Sequence, residues 1–353
     1  MSYLAFLLLT LTQGPSTHPP GNLIILEKSA ATARLVDAAH GKSMASIKVG
    51  DGPHEVAISP DFHTAVVANY GGKNPGRSLT LIHLNEMGKP KTRHIDLGQA
   101  MRPHGLAFGP SNRFLWVTAE VTGELWRIDL KDGKVIKKID VGKGSGHMVA
   151  AMDDKHVFVS HISAGCITPV TQQEDGSWKA GERIPTGAGA EGIWVQPGTD
   201  LIWVTNRAAD SVSIVDASEG KEIAELPCAG FPIRVMFSAD GSVAAVSCAD
   251  ANVIALFDTT TKEQIARIPI GFSSKDDSDT RLFKDQFGES AVPIGMVFGG
   301  HGNHLYVSCA GADRIADIDI RLQRVVQVFK TGKEPDGIGW YPAAPPQTTE
   351  VGY

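Results

Sequence analysis

Cysteine is scarce in this chain of 353 residues: Cys166, Cys228, Cys248 and Cys309 are scattered, with no CxxC or CxxCH among them. Such spacing supports neither a disulfide framework, nor a zinc ribbon, nor covalently attached c-type haem. Charge is sparse as well, with 20% Asp, Glu, Lys and Arg, a formal net charge of −6 and no run of Lys or Arg. Nucleic acid is therefore not an expected partner. Long apolar runs are missing too. The run at the front, Leu4 to Leu11, is too short to span a bilayer, so no membrane span is expected. Its length suits the middle of a secretory signal, although no Lys or Arg precedes it and no clear A-x-A site follows. Residues 1–20 are read as a signal or hydrophobic extension, and the protein as secreted or periplasmic, with a cytoplasmic location as the alternative.

What the chain does have is glycine, 38 of them, together with abundant Val, Ile and Thr, which points to many short strands joined by tight turns. Those strands recur with a period. The unit is a Gly or Pro bend, a short strand, an "SPD"-like turn, a strand like "WVTN", a small-residue turn, a strand like "VSIVD", another turn, and a strand ending in V-G or I-G. Its clearest copy runs from 190 to 226. A repeat of 40 to 45 residues is the mark of propeller blades. Taking the residue after each bend as a register mark gives His54, His104, His147, Glu191, Ile233, Ile294 and Asp336, separated by 50, 43, 44, 42, 61 and 42 residues. Seven marks imply seven blades.

The last unit has room for one strand only, while "NLIILEKS", "ATARLVDAA" and "MASIKVG" at the front supply the missing three. The expected fold is therefore an all-β, seven-bladed propeller of four-stranded antiparallel blades over residues 21–342. Three N-terminal strands and one C-terminal strand would close the ring, removing the open edges of a linear stack. Residues 343–353 are left as a tail.

The residues "WVTN" at 203–206, "YVSC" at 306–309, "FVSH" at 158–161, the "SPD" turn at 59–61 and the V-G endings at 49–50 and 141–142 resemble the seven-bladed propellers built from YVTN-type repeats. The resemblance covers nearly the whole chain. It implies the fold but not one function, since propellers of this kind include surface proteins, binding proteins, lactonases, lyases and metal-centred redox enzymes.

Strand direction alternates within a blade, so the starts of the inner strands and the ends of the second strands lie at one mouth of the channel. The inner strands bring His54, His104, His147, Glu191 and Asp336 there. The second strands bring Glu27, Asn69, Glu120, His161, Asn206, Cys248 and Cys309, with Arg102, Arg207 and Arg234 beside them. Histidines on three consecutive blades can lean toward one ion, so His54, His104 and His147 are the candidate ligands of a divalent transition metal. Imidazole suits Zn, Fe, Cu or Ni, and the choice among them stays open. Glu191 is the candidate fourth ligand or proton-exchanging group, and His161 a second acid–base group or outer partner. Arg102 and Arg234 are placed to hold a carboxylate or an oxyanion. Asp336, Glu27, Asn69 and Asn206 complete the expected substrate-binding rim.

The 61-residue interval contains about twenty residues more than a link needs, "FSSKDDSDTRLFKDQFGESA", emerging at the same mouth. Phe283 and Phe287 within it are positioned to pack over a ligand. His63, His156, His301 and His304 fall toward the opposite mouth, and the pair His301 and His304, at a turn, is expected to be solvated.

The leading expectation is a metal-dependent enzyme acting on a small molecule at the channel mouth, a lactone or ester hydrolase or a lyase. The alternative is a non-catalytic exported propeller that binds a protein, glycan or cell-surface component. A third is a redox protein holding copper or a non-covalent haem-type group.

Overall fold

Seven antiparallel sheets form a ring in the computed structural model, which describes residues 20–85, 90–142, 146–273, 284–300 and 302–344. The inner strands of blades 1 to 7 are Pro53–Ile58, Pro103–Phe108, Gly146–Ala151, Ala190–Val195, Pro232–Phe237, Pro293–Phe298 and Pro335–Pro342. Blade 7 closes the ring as anticipated: the C-terminal strand pairs with Gly21–Glu27, which is followed outward by Thr32–Asp37 and Lys42–Lys48. In that seam Leu23 faces Trp340 and Glu27 faces Pro335. The signal-like segment at 1–19 and the end of the tail at 345–353 lie outside the described residues.

Burial falls from the ring's middle layers outward. Second and third strands such as Leu201–Asn206 and Ser211–Asp216 lie between two neighbouring blades and are buried on both faces, which explains their near-continuous apolar sequences. The outer strand Arg324–Lys330 alternates exposed and half-buried residues, as a half-covered edge should. The core is thus a set of blade-to-blade interfaces. Trp203 of blade 4, for example, meets Phe237 and Phe257 of blade 5 with ring centroids 5.6 and 6.1 Å apart.

Blade 3 departs from the expected four strands. Its outer edge is split into Trp178–Ala180 and Ile184–Pro185, both pairing with Cys166–Gln172. The break falls opposite Pro169, which has no N–H to donate to a ladder; Gly181 donates to its carbonyl instead, at 2.8 Å.

Two recurring devices set the geometry of the histidine-bearing mouth. The residue before six of the inner strands is left-handed: Gly52, Arg102, Gly189, Phe231, Val292 and Glu334 have φ between 52° and 78°. For the non-glycines this costs about 1–2 kcal/mol each. Each of these bends accepts, at its carbonyl, an N–H from the mouth end of the second strand or just beyond it: Tyr70 to Gly52, Glu120 to Arg102, Arg207 to Gly189 and Lys28 to Glu334, at 3.0 to 3.3 Å.

The second device is the Ser or Thr of the "VT" and "VS" motifs. Thr118 accepts the Gly105 N–H at 2.8 Å and donates to the His147 carbonyl of the next blade at 2.7 Å. Ser160, Thr205 and Ser247 make the same tie to the carbonyls of Glu191, Ile233 and Ile294. In these four blades the motif is therefore a blade-to-blade clamp that fixes the backbone carrying the mouth residues, whereas the buried Ser308 hydroxyl of blade 6 has no such partner.

Candidate metal centre and active site

His104 lies at the middle of the mouth and is fully buried. The His147 ring packs on it at 3.7 Å between centroids, and His54 meets it edge-on at 4.4 Å. Tyr70 closes the group with T-shaped contacts of 5.1 Å to His54 and 5.3 Å to His104. Three imidazoles separated by roughly a hundred residues of sequence are thus in one cluster.

Their nitrogens are not equivalent. His104 Nδ1 lies 3.1 Å from the His147 carbonyl, which can only accept, so Nδ1 carries the hydrogen and Nε2 presents its lone pair. That Nε2 is sealed from solvent and has no hydrogen-bond partner, and His147 Nδ1 is in the same condition. Burial, then the nearby charges of His147, His54, Arg234 and Lys28, holds the His104 pKa well below the usual histidine value. Burial also lowers that of His147, against an opposing pull from Glu191. Both rings are therefore neutral at pH 7, the form that binds metal.

One donor atom each from His104, Glu120 and His147 fall within 4.8 Å of one another. Donors around a tetrahedral ion at 2.0–2.1 Å are about 3.3 Å apart, so small side-chain shifts would bring this set into a coordination sphere. His54, expected as the third ligand, is outside it. Its Nδ1 is 2.7 Å from Asp336 Oδ2, and Lys28 Nζ lies 3.3 Å from the same oxygen. The His54 and Lys28 charges, aided by Arg234, overcome burial and hold the Asp336 carboxyl well below the usual carboxylate range.

Glu191 is buried beneath His147, with its Oε1 3.4 Å from Nε2. It also receives Arg234 Nη1 at 2.8 Å and Arg207 Nη1 at 2.6 Å. Burial alone would raise its pKa. The His147 hydrogen bond and the two guanidiniums reverse this and hold it far below the usual range. Arg234 in turn donates to Glu55 Oε1 at 2.6 Å, so it is engaged by two carboxylates.

Arg102 packs its guanidinium over the Tyr70 ring at 4.9 Å, and the Tyr70 hydroxyl donates to Glu120 at 3.0 Å. Burial, the Glu120 charge and this hydrogen bond push the Tyr70 pKa up to about 12.

The remaining rim residues turn away from the channel. Asn69 donates to Ser78 and Thr80 at 3.0 Å, and Asn206 to Ser211 and Ser213 at 3.0 and 2.7 Å, within their own blades. His161 Nε2 pairs with Thr168 Oγ1 at 2.8 Å, and Glu27 is held by Arg34, Thr32 at 2.7 Å and the Gly332 N–H at 2.6 Å. Glu27, His161 and Asn206 end their second strands, and Asn69 holds the equivalent place within Thr64–Gly71. Glu120, Tyr70 and Lys28 come one position later, where alternation reverses the side chain. Glu120 is expected at the mouth but without a role, and Tyr70 and Glu55 are not expected there; Glu120 and Tyr70 occupy equivalent positions at the mouth end of their second strands, which is the signal that marks both.

Phe287 packs against Phe231 at 4.9 Å between centroids, over an apolar half of the mouth formed with Ile233, Ile294 and Val292. Phe283 lies outside the described residues, as does His301. His304, expected to be solvated, is 3% exposed and lies 2.8 Å from the buried Asp317.

Below the Glu55–Arg234 pair the channel widens into a cavity of about 1010 Å³ running toward the opposite mouth. Its walls are largely apolar, with Phe62, Phe108, Met148, Trp194, Met296 and Trp340 among them, and no histidine lines it among the described residues. Among the described residues no helix is long and apolar enough to cross a membrane.

A family model described as "Cytochrome D1 heme domain" matches residues 73–275, more than half of the chain. It does not name the YVTN-type propellers that the repeat resembles. No curated protein matches. Among solved structures, a functionally unknown protein from Desulfotomaculum acetoxidans DSM 771 is 15% identical with a TM-score of 0.76, over 92% of this chain and 99% of that one. The periplasmic gluconolactonase PpgL of Pseudomonas aeruginosa is 16% identical with a TM-score of 0.72, over 92% and 99%. The dihydro-heme d1 dehydrogenase NirN, in complex with DHE, is 16% identical with a TM-score of 0.60, over 95% and 78%. At these identities the likeness to each structure is one of fold.

Proposed function

The chain belongs to the cytochrome D1 heme domain family, and from its own site geometry we propose that it is a divalent-metal-dependent enzyme acting on a small molecule at the channel mouth. The observation that carries this reading is the buried, partnerless Nε2 of His104, whose tautomer is fixed by the His147 carbonyl, beside donors from Glu120 and His147. Leaving such polar atoms buried and unpaired costs about 1–3 kcal/mol each, a cost that an ion would remove.

The family's cofactor fits these residues poorly. A macrocycle needs an open slot beside an axial imidazole, whereas the three rings pack at 3.7 and 4.4 Å and Nε2 of His104 is closed off. The space large enough for one is the cavity beyond the Glu55–Arg234 pair, where no histidine is present among the described residues. We therefore derive no chemistry through haem.

An ion of Zn, Fe, Cu or Ni type would supply Lewis acidity and an acidified water at this set. The chain's own groups do the rest. Asp336 holds His54 at Nδ1, directing Nε2 as the proton-exchanging nitrogen. Arg102, supported on Tyr70, meets a substrate carboxylate or developing oxyanion. Glu191, locked between Arg207 and Arg234, is a positioning residue for His147 and not a proton carrier. Lactone or ester hydrolysis suits these groups best, with elimination by a lyase as the second chemistry; a lactonase among the fold neighbours supports the class. The Leu4 to Leu11 run and the periplasmic neighbour support export to the periplasm.

Elemental analysis of tag-free protein, before and after incubation with each ion, tests the reading, together with turnover of a lactone and ester panel. One tightly held ion per chain, lost in His104→Ala and Glu120→Ala, is expected. No bound ion under any condition, with no turnover, would replace the enzyme with a non-catalytic binding propeller. A visible absorption band on loading with haem would favour the family's cofactor instead.

A further inference from the structure

In two blades the link entering the blade is hydrogen-bonded to a polar side chain at the mouth end of that blade's second strand. In blade 7 the Gly332 N–H donates to Glu27 at 2.6 Å, and in blade 1 the Gly50 N–H donates to Asn69 at 3.0 Å. In blade 4 Gly187 lies so close to Asn206 that an added Cβ would come within 2.6 Å of its side-chain amide. Blade 5 has no such amide or carboxylate. Its second strand ends in Cys248, and the Sγ of that residue lies 3.6 Å from the Sγ of Cys228, in the link entering the same blade. Both side chains are fully buried.

We propose that Cys228 and Cys248 are a modification site, joined as a disulfide that is the covalent counterpart of the hydrogen-bonded pins in blades 7 and 1. The two sulfurs are in van der Waals contact, and modest χ1 rotations bring them to the bonded distance of about 2.05 Å. No comparable thiol pair involves Cys166 or Cys309 among the described residues. The reaction requires a disulfide-bearing oxidant such as oxidised glutathione. The thiolate of one cysteine attacks the oxidant's disulfide, forming a mixed disulfide and releasing one glutathione thiolate; the second cysteine, as thiolate, displaces the other. Overall two S–H bonds are lost and one S–S bond formed, while two electrons and two protons pass to the oxidant as two thiols. Burial of both sulfurs means that the bond forms on the folding chain, before blades 4 and 5 close on each other.

The test is to unfold the full chain in urea, refold it over a mixture of oxidised and reduced glutathione, alkylate, and map peptides without reduction. A crosslinked Cys228–Cys248 peptide is expected, with two of the four thiols titrating in denaturant and a mass lower by two hydrogens. Reduction should lower Tm by roughly 4 °C. That sensitivity should vanish in Cys228→Ser/Cys248→Ser and persist in Cys166→Ser/Cys309→Ser. Four free thiols in soluble refolded protein, or crosslinks scrambled through Cys166 and Cys309, would overturn the assignment; the wild-type map decides even where a variant fails to fold.

Discussion

Arg234 of blade 5 reaches across the channel to Glu55 of blade 1, Nη2 to Oε1 at 2.6 Å, while its Nη1 meets Glu191 of blade 4 at 2.8 Å. One guanidinium therefore braces three blades and separates the histidine mouth from the cavity beneath. Arg234→Ala would leave Glu55 and Glu191 facing each other in a buried setting. The expected loss is about 3–5 kcal/mol in urea unfolding, whereas the paired change Glu55→Leu with Arg234→Met should lose far less.

His54 and His104 touch each other but hold different partners, and their substitutions should separate. His104→Ala is expected to lose the ion. His54→Ala is expected to keep it while turnover falls by about 10²–10⁴-fold, as for loss of an acid–base group. Metal content and kcat measured on the same preparations check this; loss of metal from both variants would return His54 to the ligand set.

Acid should act through His161. Burial, helped by the Arg183 charge, lowers its pKa to about 4, below the usual 6.5, so the unfolded chain binds the proton first. Its contribution to stability is complete above pH 6.5 and is lost as pH falls toward 4, to the extent of about 3 kcal/mol. Asn occupies the equivalent place in blades 1 and 4, at Asn69 and Asn206. His161→Asn should therefore fold normally and flatten the stability decline between pH 6.5 and 4, measured by urea titrations across that range.

The blade-to-blade clamp can be tested at Thr205, whose hydroxyl accepts from Gly192 at 2.8 Å and donates to Ile233 at 2.9 Å. Thr205→Val keeps the shape, removes the partner of the Gly192 N–H and leaves the Ile233 carbonyl with only Arg234 Nη1 at 3.3 Å. A destabilisation of about 1–3 kcal/mol is expected from thermal or urea unfolding, with Thr205→Ser restoring most of it.

Most of the architecture was legible because a propeller writes its period into the chain. The spacing of His54, His104, His147, Glu191 and Asp336 located the inner strands, and the shortfall at the C-terminus located the closing seam. Clustering of the histidines followed from their shared register. The partners of those histidines were less legible. Asn69 and Tyr70 are neighbours in sequence, yet one hydrogen-bonds inside its blade and the other closes on His54 and His104. At the end of a strand a single step of register reverses a side chain, and no periodicity resolves a single step.

The number of blades, their closure and the backbone positions that ring the mouth can be read along the chain, because each depends on local strand and turn chemistry that repeats. Only the tertiary structure decided that Glu120 joins His104 and His147, that Asp336 claims His54, that Glu191 is locked between arginines and that Cys228 meets Cys248. Those pairings are made across blades or at strand ends. They depend on where left-handed bends such as Arg102 and Glu334 direct the chain and on how closely neighbouring blades pack, quantities set when the ring closes.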